Sequence, residues 1–236
     1  MVTENQQTIE KLRGGLVVSC QALPDEPLHS SFIMGRMAYA AYRGGAIGIR
    51  ANTVADIEEI RKVVDLPIIG IIKKIYPDQP EVYITPTMAE IDELVAARVE
   101  IIALDATART HPGGVALDEL FQTARAKYPD QLFMADCSNV EEGLAAANMG
   151  FDLIGTTLAG YTSYTAGREL PPFDMIDALV QTCGKPVIAE GNIITPEQFR
   201  QAMDLGVLTT VVGSAITRPM EITKRFVAAL TEDRAQ

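Results

Sequence analysis

Eight short apolar runs, each followed by a stretch with helix punctuation, constrain the fold of this chain more than any other feature. They are Leu16–Ser19, Ala46–Ile49, Ile68–Ile72, Ile101–Leu104, Leu132–Ala135, Leu153–Gly155, Val187–Ala189 and Thr210–Gly213. Runs this short and bounded by Gly, Pro and polar residues read as buried strands. Helix signals lie between them. Thr195-Pro196-Glu197-Gln198 carries an N-cap, an N1 proline and capping-box spacing, which Thr87 with Glu90 and Ser138 with Glu141 repeat. Gly150 and Gly206 suit the position just past a helix end. Apolar residues recur at helical spacing in Phe199, Ala202, Met203 and Leu205. Strand and helix alternating eight times predict a parallel sheet of βα units closed into a single (β/α)8 TIM barrel. The chain has 236 residues, close to the roughly 250 of such a barrel. No linker-like stretch interrupts it, so one domain is expected over residues 1–236. The first fourteen residues predict a short N-terminal helix packed on the opposite mouth of the barrel.

Composition narrows the function classes. Hydrophobic residues make up 47% of the chain, enough for a sizeable core, which argues against disorder. The formal charge is -11 and basic residues are not clustered, which argues against a nucleic-acid partner. An anionic substrate would need local cations, for which Arg50, Lys73 and Arg218 are candidates. Met1–Arg13 is polar and lacks a signal-peptide core. No apolar run approaches the roughly 20 residues of a membrane span, so no membrane partner is expected. Three widely spaced cysteines, Cys20, Cys137 and Cys183, read as reduced thiols of a cytoplasmic protein.

Parallel strands in a closed barrel aim their carboxyl ends at one face. At or just beyond the run ends stand Gln21, Arg50, Lys73, Asp105, Asp136, Thr156, Glu190 and Ser214. Several strand-to-helix links on that side are long (22–30, 74–86, 106–114 and 159–172), whereas the helix-to-strand links are short. Long loops confined to one face predict that function is built there.

Late in the chain, Glu190-Gly191-Asn192-Ile193 and Gly213-Ser214-Ala215-Ile216-Thr217-Arg218 follow two successive strands. Glycine lets backbone N–H groups approach an anion, a following helix N-terminus adds its dipole, and these late loops commonly hold phosphate in such barrels. Lys73 ends a wall of apolar residues. Desolvation there favours the neutral amine, which can remove a proton or attack a carbonyl. Lys74 is adjacent, strand alternation sends the two opposite ways, and the sequence leaves open which faces inward. Glu190 is either catalytic or ion-paired with Arg50 or Lys73. Asp136 could bind sugar hydroxyls, orient Lys73 or cap the next helix, and Asp105 could brace its own loop. His29 and His111 fall in loops without metal-ligand spacing, so metal-free chemistry is expected. The hydroxyl-rich 159–172 loop suits either a sugar-binding lid or a polar surface.

Four motifs in order carry a resemblance: Val17-Val18-Ser19-Cys20-Gln21, then Pro67 to Lys73, then Gly155 to Thr162, then Val211 to Arg218. From about Gly15 to Phe226 the chain resembles the N-acetylmannosamine-6-phosphate 2-epimerase family. That resemblance implies a TIM barrel with no metal or organic cofactor. It also implies interconversion of N-acetylmannosamine 6-phosphate and N-acetylglucosamine 6-phosphate in sialic-acid catabolism, and commonly a homodimer. It places the family's catalytic lysine on Lys73 and its catalytic glutamate on Glu190. Its substrate-binding residues fall on Gln21, Arg50 and Asp136, and its phosphate contacts around Gly191, Asn192, Gly213, Ser214 and Arg218. Many relatives carry arginine after Glu-Gly, where this chain has Asn192. The expected chemistry is removal and return of the proton at C2 of the phosphosugar. A Schiff-base aldolase and a non-catalytic sugar-phosphate-binding barrel are the rival readings of the same residues.

Overall fold

A computed structural model describes residues 3–232. Eight parallel strands pair in sequence order and close, the last onto the first: β1 Leu16–Cys20, β2 Gly48–Asn52, β3 Ile68–Ile71, β4 Ile101–Asp105, β5 Leu132–Asp136, β6 Leu153–Gly155, β7 Val187–Ala189 and β8 Thr209–Val212. Helices alternate with them: α1 Glu4–Lys11 before β1, then α2 Ser31–Arg43, α3 Val54–Arg61, α4 Met88–Ala96, α5 Leu117–Lys127, α6 Val140–Met149, α7 Phe173–Thr182, α8 Pro196–Asp204 and α9 Pro219–Glu232. This is the (β/α)8 barrel expected from the sequence.

Two apolar layers follow from strand alternation. Val17, Ile69, Ile71, Ile101, Ala103, Leu132, Met134, Leu153, Ile188 and Val211 fill the barrel interior. Their neighbours on the same strands, among them Val18, Ile49, Ile68, Ile102, Phe133 and Ile154, pack outward against the helices. The amino end of the barrel is sealed by α1. Thr3 caps that helix with Gln6 in a capping box, and the fully buried Leu12 at its end joins the interior layer. Gly48 makes room for it, since a Cβ there would lie 2.7 Å from Leu12 Cδ2.

Several boundaries differ from the sequence reading. Strand β2 begins at Gly48 and runs through Arg50 to Asn52, three residues past the apolar run, because its inward positions near the carboxyl end are polar. The box expected at Ser138 slides by one residue. Asn139 is the N-cap of α6 and accepts from the Glu142 N–H, while the Ser138 N–H and hydroxyl both donate to Glu142 Oε2 at 2.7 Å. The boxes at Thr87 and Thr195 form as predicted, the latter with Pro196 in the first turn. After β8 the chain makes a turn held by the Ile216 and Thr217 N–H groups on Gly213 O, and α9 starts only at Pro219. The helix start therefore lies five residues beyond Ser214. Phe226, Val227 and Leu230 on α9 are exposed.

Candidate active site

The parity that fills the barrel with Val17, Ile69, Ile71, Met134, Leu153, Ile188 and Val211 also decides what stands over its carboxyl end. Two residues further along each strand, the inward positions become Ser19 and Gln21, Lys73, Asp136, Glu190 and Gly213, with Arg50 inward on β2 and Thr157 beyond β6. One cavity of about 900 Å³ opens there, lined by Ser19, Gln21, Arg50, Lys73, Thr157 and Glu190 at its centre. Gly191, Asn192, Gly213, Ser214 and Arg218 line the same cavity, so the two glycine-bearing loops and the acid–base candidates share one space. Tyr83 and Ile84, from the excursion between β3 and α4, and Leu158 and Tyr161, from the β6 loop, add an apolar and aromatic wall.

At the base of the cavity Arg50 is fully buried between two carboxylates. Its Nη2 donates to Asp136 Oδ2 at 2.6 Å and its Nη1 to Oδ1 at 3.1 Å, a two-pronged pair. The same Nη1 donates to Glu190 Oε2 at 2.8 Å. Thr157 Oγ1 donates to Asp136 Oδ1 at 2.6 Å and lies 3.2 Å from Glu190 Oε2. Asp136 is wholly buried and stands behind Arg50 rather than on the cavity wall. Its reach into the cavity runs through Arg50 and Thr157. Thr156, on the opposite face, accepts from the Glu190 N–H and donates to Glu190 O, which fixes the backbone of the glutamate.

Lys73 and Lys74 part as alternation requires. Lys74 turns away to pair with buried Glu90 at 3.1 Å. Lys73 faces the cavity, its backbone N–H donates to Asn52 Oδ1, and its Nζ lies 5.7 Å from the Tyr83 ring centroid. Burial, then the nearby Arg50 and Arg218 charges, pull the Lys73 amine down to about 8, against the opposite pull of Glu190 and Asp136. Burial raises Glu190 to about 7; Arg50 opposes this and Asp136 reinforces it. Burial disfavours the Arg50 cation, but Asp136 and Glu190 outweigh it and its pKa rises. The site therefore holds an acid and a base whose proton affinities are close, beside a fixed cation.

The other candidates separate by role. Gln21 donates from Nε2 to Ser19 Oγ at 2.8 Å, and its buried Oε1 has no protein partner. Gly191 and Asn192 both have left-handed backbones, with φ of 119° and 55°. Asparagine tolerates that region better than most side chains, which suits Asn192 to its place in the turn. Asp105 braces its loop as expected, accepting from Thr107 and Arg109. His29 and His111 each hold a backbone carbonyl, of Ala22 and Pro86. Most of the hydroxyl-rich loop is tied down: Thr162 contacts Thr165, and Tyr164 donates to Glu142, leaving Tyr161 on the cavity. Among the described residues, no group of three or more His, Cys, Asp or Glu is placed to hold a metal ion. All three cysteines are free thiols.

Sequence reasoning missed Thr157 and Ser19. It took Thr156 because that residue follows the apolar run. Counting by twos from Leu153 and Gly155 gives Thr157 instead, and the same count from Val17 gives Ser19.

Fold and site together define a (β/α)8 barrel that carries a buried amine and a buried carboxyl group beside two glycine-bearing loops. Residues 34–232 match the NanE family, described as "Putative N-acetylmannosamine-6-phosphate epimerase", and the chain belongs to that family. A Staphylococcus aureus (strain Newman) protein described as "Putative N-acetylmannosamine-6-phosphate 2-epimerase" is 56% identical over 220 residues, covering 92% of this chain and 98% of the relative. The solved structure of the N-acetylmannosamine-6-phosphate 2-epimerase from Clostridium perfringens superimposes with a TM-score of 0.89 at 53% identity, over 94% of this chain and 95% of that one. A thiamine phosphate pyrophosphorylase from Pyrococcus furiosus, at 18% identity and a TM-score of 0.59, shares the fold alone.

Proposed function

We propose that this chain is an isomerase that interconverts N-acetylmannosamine 6-phosphate and N-acetylglucosamine 6-phosphate by moving the proton at C2, in the breakdown of sialic acid. The observation that carries the reading is the shared cavity: Lys73 and Glu190 line it beside the loops 190–193 and 213–218. Gly191, Asn192, Gly213, Ser214 and Arg218 are assigned to the phosphate end. Gln21 and Arg50 hold polar atoms of the sugar, and Asp136 holds Arg50. No metal or organic cofactor is assigned to the reaction.

The C2 hydrogen is acidic only when C1 is an open-chain aldehyde, so ring opening precedes proton removal. Lys73, as the neutral amine, takes the C2 proton, and the electron pair moves onto the C1 oxygen to give an enolate. A preorganised donor at such an oxygen is worth roughly 3 kcal/mol. Arg50 supplies fixed positive charge at the cavity base. Glu190, in its protonated form, returns a proton to the opposite face of C2 and inverts it. In the reverse direction the two residues exchange roles.

The test is incubation with N-acetylmannosamine 6-phosphate and product identification by NMR. N-acetylglucosamine 6-phosphate is expected, and binding of both sugars without turnover would contradict the reading. Borohydride treatment with substrate is expected to leave Lys73 unmodified; covalent capture would favour an aldolase.

Two further assignments accompany this one. Phe226, Val227 and Leu230 expose apolar surface on α9, which supports a homodimer that covers them. The free cysteines are in keeping with a cytoplasmic protein. Among the described residues no helix is long and apolar enough to cross a membrane.

A further inference from the structure

Arg218 reaches the cavity from the end of the β8 loop, and its guanidinium is already gripped from behind. Its Nε lies 2.9 Å from Glu26 Oε1 and its Nη2 3.2 Å from Glu26 Oε2. This side-on fork occupies one edge of the guanidinium and leaves Nη1, with both its hydrogens, unengaged by Glu26. Arg218 lines the large cavity and also a smaller one of about 130 Å³ beside it, whereas Glu26 lines only the smaller. Arg218 therefore borders both spaces, with Glu26 on the side of the smaller one.

Both partners are anchored. Glu26 Oε2 accepts the Leu23 N–H at 2.6 Å, the Glu26 N–H donates to Leu23 O, and Glu26 O accepts from the His29 N–H. Next to Arg218, the Thr217 hydroxyl donates to Ser19 O at 2.7 Å, and Arg218 O accepts from the Ile222 N–H at 3.0 Å as α9 begins. An arginine held in this way forfeits its rotamer freedom before a ligand arrives, and that favours binding.

We propose that Glu26 is a positioning residue for the phosphate end of the site: it holds Arg218 edge-on so that Nη1 faces the phosphate monoester of the substrate. This rests on the reading of 213–218 as an anion loop. Charge alone pulls the other way, because a carboxylate near a dianion repels it. That repulsion is screened by salt, whereas the fork geometry is not.

The experiment is calorimetric titration with inorganic phosphate at high salt, paired with KM and kcat for N-acetylmannosamine 6-phosphate. Glu26→Gln removes the charge. Glu26→Asp keeps it but is one methylene too short for the fork. Both variants are expected to bind phosphate about tenfold more weakly and to raise KM about tenfold, while kcat falls less than threefold. In an Arg218→Met background neither change is expected to add a further loss. Phosphate binding as tight as wild type in Glu26→Gln would overturn the proposal. So would wild-type behaviour of Glu26→Asp, or a loss that persists without Arg218. Wild-type protein that binds no phosphate overturns it as well. Wild-type protein that binds phosphate with the expected ranking of variants but turns nothing over would sink the epimerase reading and leave Glu26 in place.

Discussion

Glu190 and Lys73 are brought toward each other in proton affinity from opposite directions, by burial that holds one up to about 7 and the other down to about 8. Epimerisation by two groups needs one proton shared between them. Ammonium with carboxylate and amine with carboxylic acid hold the same number of protons, so pH does not distinguish them. The expected outcome is a bell-shaped profile of kcat/KM with apparent limits near 7 and 8, each limb falling tenfold per pH unit. The substrate's own phosphate titrates at about 6, below both limbs. The same shifts fix a stability effect. Lys73 has its folded pKa below its unfolded value, so its charged form costs the fold throughout the range below about 8, and that cost is relieved between about 8 and 10.5. Glu190 has its folded pKa above its unfolded value, and stability falls as pH rises from 4.5 to about 7. Lys73→Met is therefore expected to abolish turnover and yet raise stability at pH 7 by about 1–3 kcal/mol, read by urea denaturation. At this scale the sequence is most legible where chemistry stands at a strand end, as with Gln21, Arg50, Lys73 and Glu190. Glu26 was invisible because a loop has no period to count. Asp136 was legible as a residue, but its place behind Arg50 depends on a contact across 86 positions.

Elements were read best where a local rule closes on itself. The capping boxes at Thr87 and Thr195 involve residues three apart and need no tertiary information. Thr195→Ala is expected to cost about 1 kcal/mol, measured as a lower urea midpoint at unchanged slope. A loss below a few tenths would mean that tertiary packing alone holds the start of α8. The box at Ser138 went wrong because Glu142 is claimed from elsewhere: it accepts from the Ala108 N–H and from Tyr164 as well as from Ser138. A carboxylate that joins three segments shifts the cap to Asn139. Strand β2 was placed two residues early for a related reason. A fully buried arginine reads as a strand end until Asp136 and Glu190 are seen to neutralise it.

Across the whole molecule, eight repeats of one unit leave few alternatives, and barrel closure was the most secure expectation. The exposed side of α9 was not legible, because an amphipathic helix looks the same whether its own barrel or a second copy covers it. If a second copy covers it, sedimentation equilibrium gives twice the monomer mass, and Phe226→Glu shifts the protein to monomer. A wild-type monomer would remove the dimer assignment. The central claim is that Lys73, held over the closed barrel with Glu190, moves the proton at C2. Its most direct test is epimerisation of N-acetylmannosamine 6-phosphate in deuterated water, with deuterium at C2 followed by NMR for wild type and for a folded Lys73→Met variant. The wild type is expected to place solvent deuterium at C2 of N-acetylglucosamine 6-phosphate and the variant to place none. Exchange at the wild-type rate without Lys73 would contradict the account.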